Sequence, residues 1–136
     1  MKVIVCIDDD GGMMFNNRRQ SRDRVLIEDV IRMTEGKNLY IDSYSELLFA
    51  DFAGKYTVDS DMLKNADEGE YCFVETKALL DHLDRVEEII IYHWNRRYPS
   101  DIKLDIVPQK CGFELCDMTE FAGYSHEKIT KEIFKR

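Results

Sequence analysis

Two apolar runs without polar alternation constrain this chain most. Val3-Ile4-Val5-Cys6-Ile7 lies near the start, and Ile89-Ile90-Ile91-Tyr92 lies about two thirds of the way along. A strand with one wet face alternates apolar and polar residues, whereas an unbroken run is buried on both faces, as in a sheet covered by helices. The segments between and beside these runs alternate strand-like and helix-like patterns. That order argues for a largely parallel sheet, with 88–92 as its central strand.

The first strand is read at about residues 2–8. A helix follows from Asp23 to Glu35, capped by Ser21 or Asp23, ended by Gly36, with Leu26, Ile27, Val30, Ile31 and Met33 on one face. Residues 38–41 form the next strand. Ser43-Tyr44-Ser45-Glu46 reads as a capping box opening a short helix through Leu47, Leu48 and Phe49. Residues 54–59 suit a short strand, 60–70 a polar loop, 71–75 a strand, 77–84 a helix and 102–106 an alternating strand. Residues 113–121 pattern as a strand, and 128–136 as a helix or as the return strand of a hairpin, because the Ile129 to Ile133 spacing fits both periods.

A chain of 136 residues is expected to form one α/β domain, able to bury ~65–70% of its unfolded surface. Net charge is −8, so attraction to nucleic acid or anionic lipid is not expected overall. The opening apolar run stops after five residues at Asp8-Asp9-Asp10, too short for a secretory signal, and nothing approaches a membrane span. Cys6 and Cys72 sit in apolar strands, and Cys111 and Cys116 lack a second pair for zinc. All four read as reduced thiols, and the expected location is cytoplasmic.

Six of the nine arginines fall in two short segments: Arg18, Arg19, Arg22 and Arg24 after Asn16-Asn17, and Arg96 and Arg97 after His93-Trp94. Guanidinium forks match phosphate and carboxylate geometry, and stackable rings beside them suit a base. Asn17, Arg18, Arg19, Arg22, His93, Trp94, Arg96 and Arg97 are therefore the candidate ligand-binding residues, expected to meet at one sheet edge. The competing reading is a solvated face whose arginines pair with Asp8, Asp9, Asp10 and Asp23. Asp8-Asp9-Asp10 could hold Mg²⁺ at a strand end, but Asp-Asp-Gly-Gly is also an ordinary turn. The turn is the preferred reading, and no metal site is assigned. His82 and His126 read as structural or solvated.

Taken in order, MKVIVCIDDDGGMMFNN, EGKNLYIDSYSELL, VEEIIIYHW and FELCDMTEFAGYSHEKITKEIFKR resemble a shortened dihydrofolate reductase chain. The resemblance implies a mostly parallel sheet with flanking helices and a C-terminal antiparallel hairpin. It also exposes departures. Leu26 stands where that family has its general-acid carboxylate, Asp42-Ser43-Tyr44-Ser45 replaces the phosphate-holding Gly-Arg-x-Thr, and His93-Trp94 replaces the Gly-Gly that admits the cofactor. The chain is similar, too, to short bacterial proteins that carry the label ribonuclease Z. That activity needs a tight histidine cluster holding two zinc ions about 3.5–4 Å apart, and His82, His93 and His126 lack the spacing.

The expected function is therefore binding of an anionic small molecule or nucleotide on a reductase fold lacking the reductase residues. Two alternatives stand beside it: an altered nucleotide-dependent reductase or Mg-dependent phosphate enzyme, and a protein–protein interaction module. The residues name no cofactor.

Overall fold

The computed structural model describes all 136 residues. In chain order the strands are β1 (Lys2–Ile7), β2 (Gly12–Phe15), β3 (Arg18–Arg19), β4 (Leu39–Ile41), β5 (Thr57–Val58), β6 (Tyr71–Phe73), β7 (Glu88–His93), β8 (Ile102–Lys103), β9 (Glu114–Phe121) and β10 (Ile129–Lys135). Helix α1 spans Arg24–Met33 and α2 spans Met62–Asn65, and 3₁₀ helices cover Ser43–Phe52, Leu80–Arg85 and Pro108–Cys111. The main sheet has the order β5-β4-β6-β1-β7-β10-β9. Its first five strands are parallel, and β10 and β9 close it as an antiparallel hairpin. No helix is long and apolar enough to cross a membrane.

The apolar runs are unbroken because alternate side chains enter two different cores. Val3, Val5, Ile89 and Ile91 point into one, with Met13, Met62 and Phe134. Ile4, Ile90 and Tyr92 point into the other, against Leu26, Ile27, Val30 and Ile31 of α1. The middle of the sheet is β1, which pairs with β6 on one side and β7 on the other, so the expectation that 88–92 is central shifts by one strand. Apolarity alone cannot rank two strands that are equally desolvated.

Other expectations are corrected locally. Residues 60–70 are not only a polar loop: α2 buries Met62 and Leu63 completely enough to join the core. Of 102–106 only Ile102–Lys103 is a strand, and it lies in a separate sheet of order β3-β2-β8. The cap of the 3₁₀ helix is Asp42, whose carboxylate accepts the Ser43 hydroxyl and the Tyr44 N–H, and not Ser43. The ambiguous tail is a strand because β7 needs a partner on its open side, and Thr130–Lys135 pairs along its whole length.

The β2–β3 hairpin closes over two residues, Asn16 and Asn17, with φ of 52° and 60°. Two positive φ values in a two-residue loop define a turn that favours Asn and Gly, because its twist matches that of the strands. Asn17→Gly should leave the melting temperature level or slightly raised. Asn17→Val, forced into the left-handed region, should cost about 1–2 kcal/mol in denaturant unfolding.

Candidate functional site

The loops after β1 and β7 are joined by one buried carboxylate. Asp8 Oδ1 accepts the N–H of Asp10 (2.9 Å) and Gly12 (2.7 Å), and Oδ2 accepts Gln20 Nε2 (3.1 Å) and the Tyr98 N–H (3.0 Å). Burial by itself would raise the Asp8 carboxyl. The N–H donors of Tyr98, Gly12 and Asp10, with Gln20, outweigh it and hold the group below the ordinary aspartate range. Asp8 thus closes a turn and fastens it to its neighbours. Asp10 turns outward to Arg97 at 3.1 Å. No three His, Cys, Asp or Glu side chains converge in a metal-holding arrangement.

Beside this junction, between α1 and the ends of β1 and β6, lies a narrow cleft of about 20 Å³, room for about one water molecule. Its apolar lining includes Met13, Leu26, Ile27, Phe73 and Trp94, and its polar lining includes Arg19, Ser21, Arg22 and Glu75. A wider, shallower space of about 430 Å³ adjoins it across Arg22, Asp23, Ile27 and Leu48, and extends to Arg24, Asp51 and Tyr124. Cys6 borders the inner cleft. Burial pushes its thiol far up, so it is not a thiolate nucleophile at neutral pH.

Where the two spaces meet, the N-terminus of α1 is gripped by the turn between β9 and β10. Asp23 caps α1: its Oδ1 accepts the N–H of Val25 (2.9 Å) and Leu26 (3.3 Å), and also that of Tyr124 (2.9 Å). Oδ2 accepts the Ser125 N–H (2.9 Å) and His126 Nδ1 (2.8 Å). Burial opposes ionisation here, but the donors of Tyr124, His126, Ser125 and Leu26 overcome it and hold the carboxyl well below the ordinary range. Because a carboxylate only accepts, Nδ1 of His126 carries the proton. The other ring nitrogen, Nε2, lies 2.8 Å from Ser21 Oγ and 3.4 Å from the Tyr98 hydroxyl. Trp94 stacks on the imidazole at 4.7 Å with 28° between planes. Gly123 has to be glycine, since a Cβ there would stand 2.6 Å from Asp23 Oδ2.

The eight candidate residues fall into separate settings. Arg19 is a wall of the cleft, and its guanidinium forks onto Glu75 (2.9 and 3.1 Å) while lying over the Tyr44 ring. Arg22 is exposed where inner and outer spaces meet, with no acidic partner within 4 Å. Trp94 is buried on the cleft wall. Arg96 donates to the Ser125 carbonyl at 3.4 Å and lies with Trp94 at another, polar depression. His93 is paired with Glu132 on β10, away from the cleft lining. Asn17 and Arg18 stand at the exposed hairpin end, and Arg97 is held by Asp10. The structure thus gathers Arg19, Arg22 and Trp94 on the inner cleft and sends the others elsewhere.

Sequence reading missed the two residues that organise the site. His126 reads only as structural or solvated, in a turn, and is 5% exposed, and Ser21 reads only as a possible cap. The Asp23–His126 contact spans 103 positions. The one local hint is the Asp at a predicted helix cap.

No known family model matches the sequence, and no curated protein matches it. Among solved structures, a dihydrofolate reductase from Enterococcus faecalis complexed with NADP(H) and RAB-propyl superposes with a TM-score of 0.72. The match covers 99% of this chain and 95% of that one at 9% identity. The chain has a dihydrofolate reductase-like α/β fold.

A depressed carboxyl stabilises the fold above its unfolded pKa and ceases to as pH falls through its folded one. Asp23 and Asp8 should therefore make stability fall steadily below about pH 4, the unfolded aspartate region. Thermal unfolding from pH 7 to 2 checks this, and the slope should be shallower for Asp23→Asn. At pH 7, Asp23→Ala should cost about 3–5 kcal/mol, because it leaves buried donors unpaired.

Proposed function

On this dihydrofolate reductase-like fold, we propose that the chain binds an anionic small molecule or nucleotide in the shallow space beside α1 that opens from the narrow cleft, and that NADPH-dependent folate reduction is not its activity. The observation that carries this reading is Arg22, a cation without an acidic partner, set at the mouth of a cleft with an apolar floor. Open α/β sheets bind ligands at the carboxyl ends of their strands, and few convergent polar groups on an apolar lining suffice to orient one. Arg24 adds positive charge on the outer side, although its pairing with Glu28 at 3.8 Å and its stacking over Tyr124 restrain it.

Four features argue against the reductase reading. Leu26, 1% exposed, lines the cleft where the sequence resemblance has a carboxylate. The acids that do border the cleft are committed, Glu75 to Arg19 and Asp23 to His126. At the end of β7 the stacked Trp94 and His126 rings fill space that a Gly-Gly would leave for a dinucleotide. Asp42, in place of a phosphate-holding arginine, caps a helix and pairs with Lys77 at 3.5 Å. These residues do not fit NADPH.

The test is thermal unfolding of the full chain against NADPH, nucleoside mono- and triphosphates, and di- and tricarboxylates. At least one nucleotide or carboxylate should raise the melting temperature, and Arg22→Ala should weaken its Kd by about tenfold, the loss of one charge-assisted hydrogen bond. A stabilising shift with NADPH would return the reductase reading, and no shift with any compound would remove the ligand reading.

A further inference from the structure

Ser21, His126 and Asp23 form a continuous polar line that ligand binding does not require. Ser21 Oγ is 2.8 Å from His126 Nε2, and His126 Nδ1 is 2.8 Å from Asp23 Oδ2. These are the contacts of a serine nucleophile, its general base and the carboxylate that orients the base. Their placement also suits those roles. Asp23 and His126 have side chains 0% and 3% exposed, whereas Ser21 is half-buried on the wall of the inner cleft. Asp23 is immobilised by backbone N–H groups of Val25, Tyr124 and Ser125, and Trp94 stacks on the imidazole face, so Nε2 is aimed at the hydroxyl. A lock between α1 and the β9–β10 turn would be complete with Asp23 alone. It has no need of a hydroxyl on the cleft side of the ring.

The residue after Ser21 is the one cleft cation without an acidic partner. The Arg22 N–H makes no hydrogen bond within the chain, and its guanidinium borders the same cleft.

We propose that Ser21 is the nucleophile of an acyl-transfer hydrolase site acting on an ester or thioester with an anionic group. Ser21 Oγ bonds to the carbonyl carbon as its proton passes to His126 Nε2. Collapse of the tetrahedral intermediate breaks the carbon–oxygen or carbon–sulfur bond, and His126 returns that proton to the departing alcohol or thiol. A water, deprotonated by His126, then displaces Ser21 and releases the acid. No oxidant, reductant or cofactor enters. The preference for an anionic substrate rests on the cleft reading above, and the serine chemistry does not.

The experiment treats the full chain with a neutral alkyl fluorophosphonate, followed by intact mass and peptide mapping. It also follows p-nitrophenol release from p-nitrophenyl acetate and from the p-nitrophenyl ester of succinate. One adduct, on Ser21, is expected. Ser21→Ala should keep its melting temperature within about 3 °C while losing the adduct and about 10³-fold in ester turnover. His126→Gln should lose both as well. Should that variant not fold, Ser21→Cys replaces it: the new thiol should alkylate with iodoacetamide at pH 6 faster than Cys116, the exposed cysteine of the same chain. An unlabelled wild type, or turnover retained in folded Ser21→Ala, overturns the proposal. Labelling at Ser21 with no preference for the succinate ester overturns only the anionic cleft.

Discussion

Desolvation of β1 on both faces is the constraint on which the other features depend. Val3 and Val5 face one core and Ile4 the other, and hydrogen-bonded strands flank β1 on both sides. Beyond Lys2 at its start, which pairs with Glu88, a strand so enclosed carries no charged side chain, and the next one, Asp8, emerges where the sheet ends. The carboxylate is still only 1% exposed there and has to be satisfied by donors from other segments. It draws in the backbone of Gly12 and Tyr98 and the side chain of Gln20. The strand-end junction follows from how deeply the strand is buried.

A second buried carboxylate repeats this logic on the far side of the cleft. Asp23 begins as a local device, a helix cap, and its remaining lone pairs recruit the β9–β10 turn. The outcome is that a turn from the end of the chain is clamped over the start of α1, and that clamp carries His126 to Ser21. An acidic chain uses part of its surplus in this way: Asp8, Asp23 and Glu75 are organisers with full sets of partners, and Asp29, half-buried, likewise takes the Tyr92 hydroxyl and Lys131. The arginines answer these local acids, which is why Arg19 and Arg97 are bound to Glu75 and Asp10 and only Arg22 remains uncommitted at the cleft.

Elements with a strong local pattern were legible before the tertiary structure. Although the last strand, whose spacing fits both periods, was decided by its pairing with β7, the five parallel strands and the amphipathic α1 ending near Gly36 leave periodic or compositional traces. Elements stabilised by one or two long-range contacts did not. α2 is four residues long, too short for a period, and forms because Met62 and Leu63 reach the core. The β2–β3 hairpin was announced only by Asn16-Asn17, whose left-handed φ values serve the turn.

By itself, the sequence determined which segments must be buried, and with them the alternating order that builds a parallel sheet. Those properties are additive along the chain: apolar area and backbone preference act residue by residue, so a linear reading recovers them. Only the tertiary structure decided which charges meet. Arg19 finds Glu75 across 56 positions, and His126 finds Asp23 across 103. Coulomb attraction and hydrogen bonding depend on separation in space and on burial, neither of which leaves a periodic mark in the chain. The arginine cluster that looked like one site was therefore divided among partners, and a turn histidine became the centre of another.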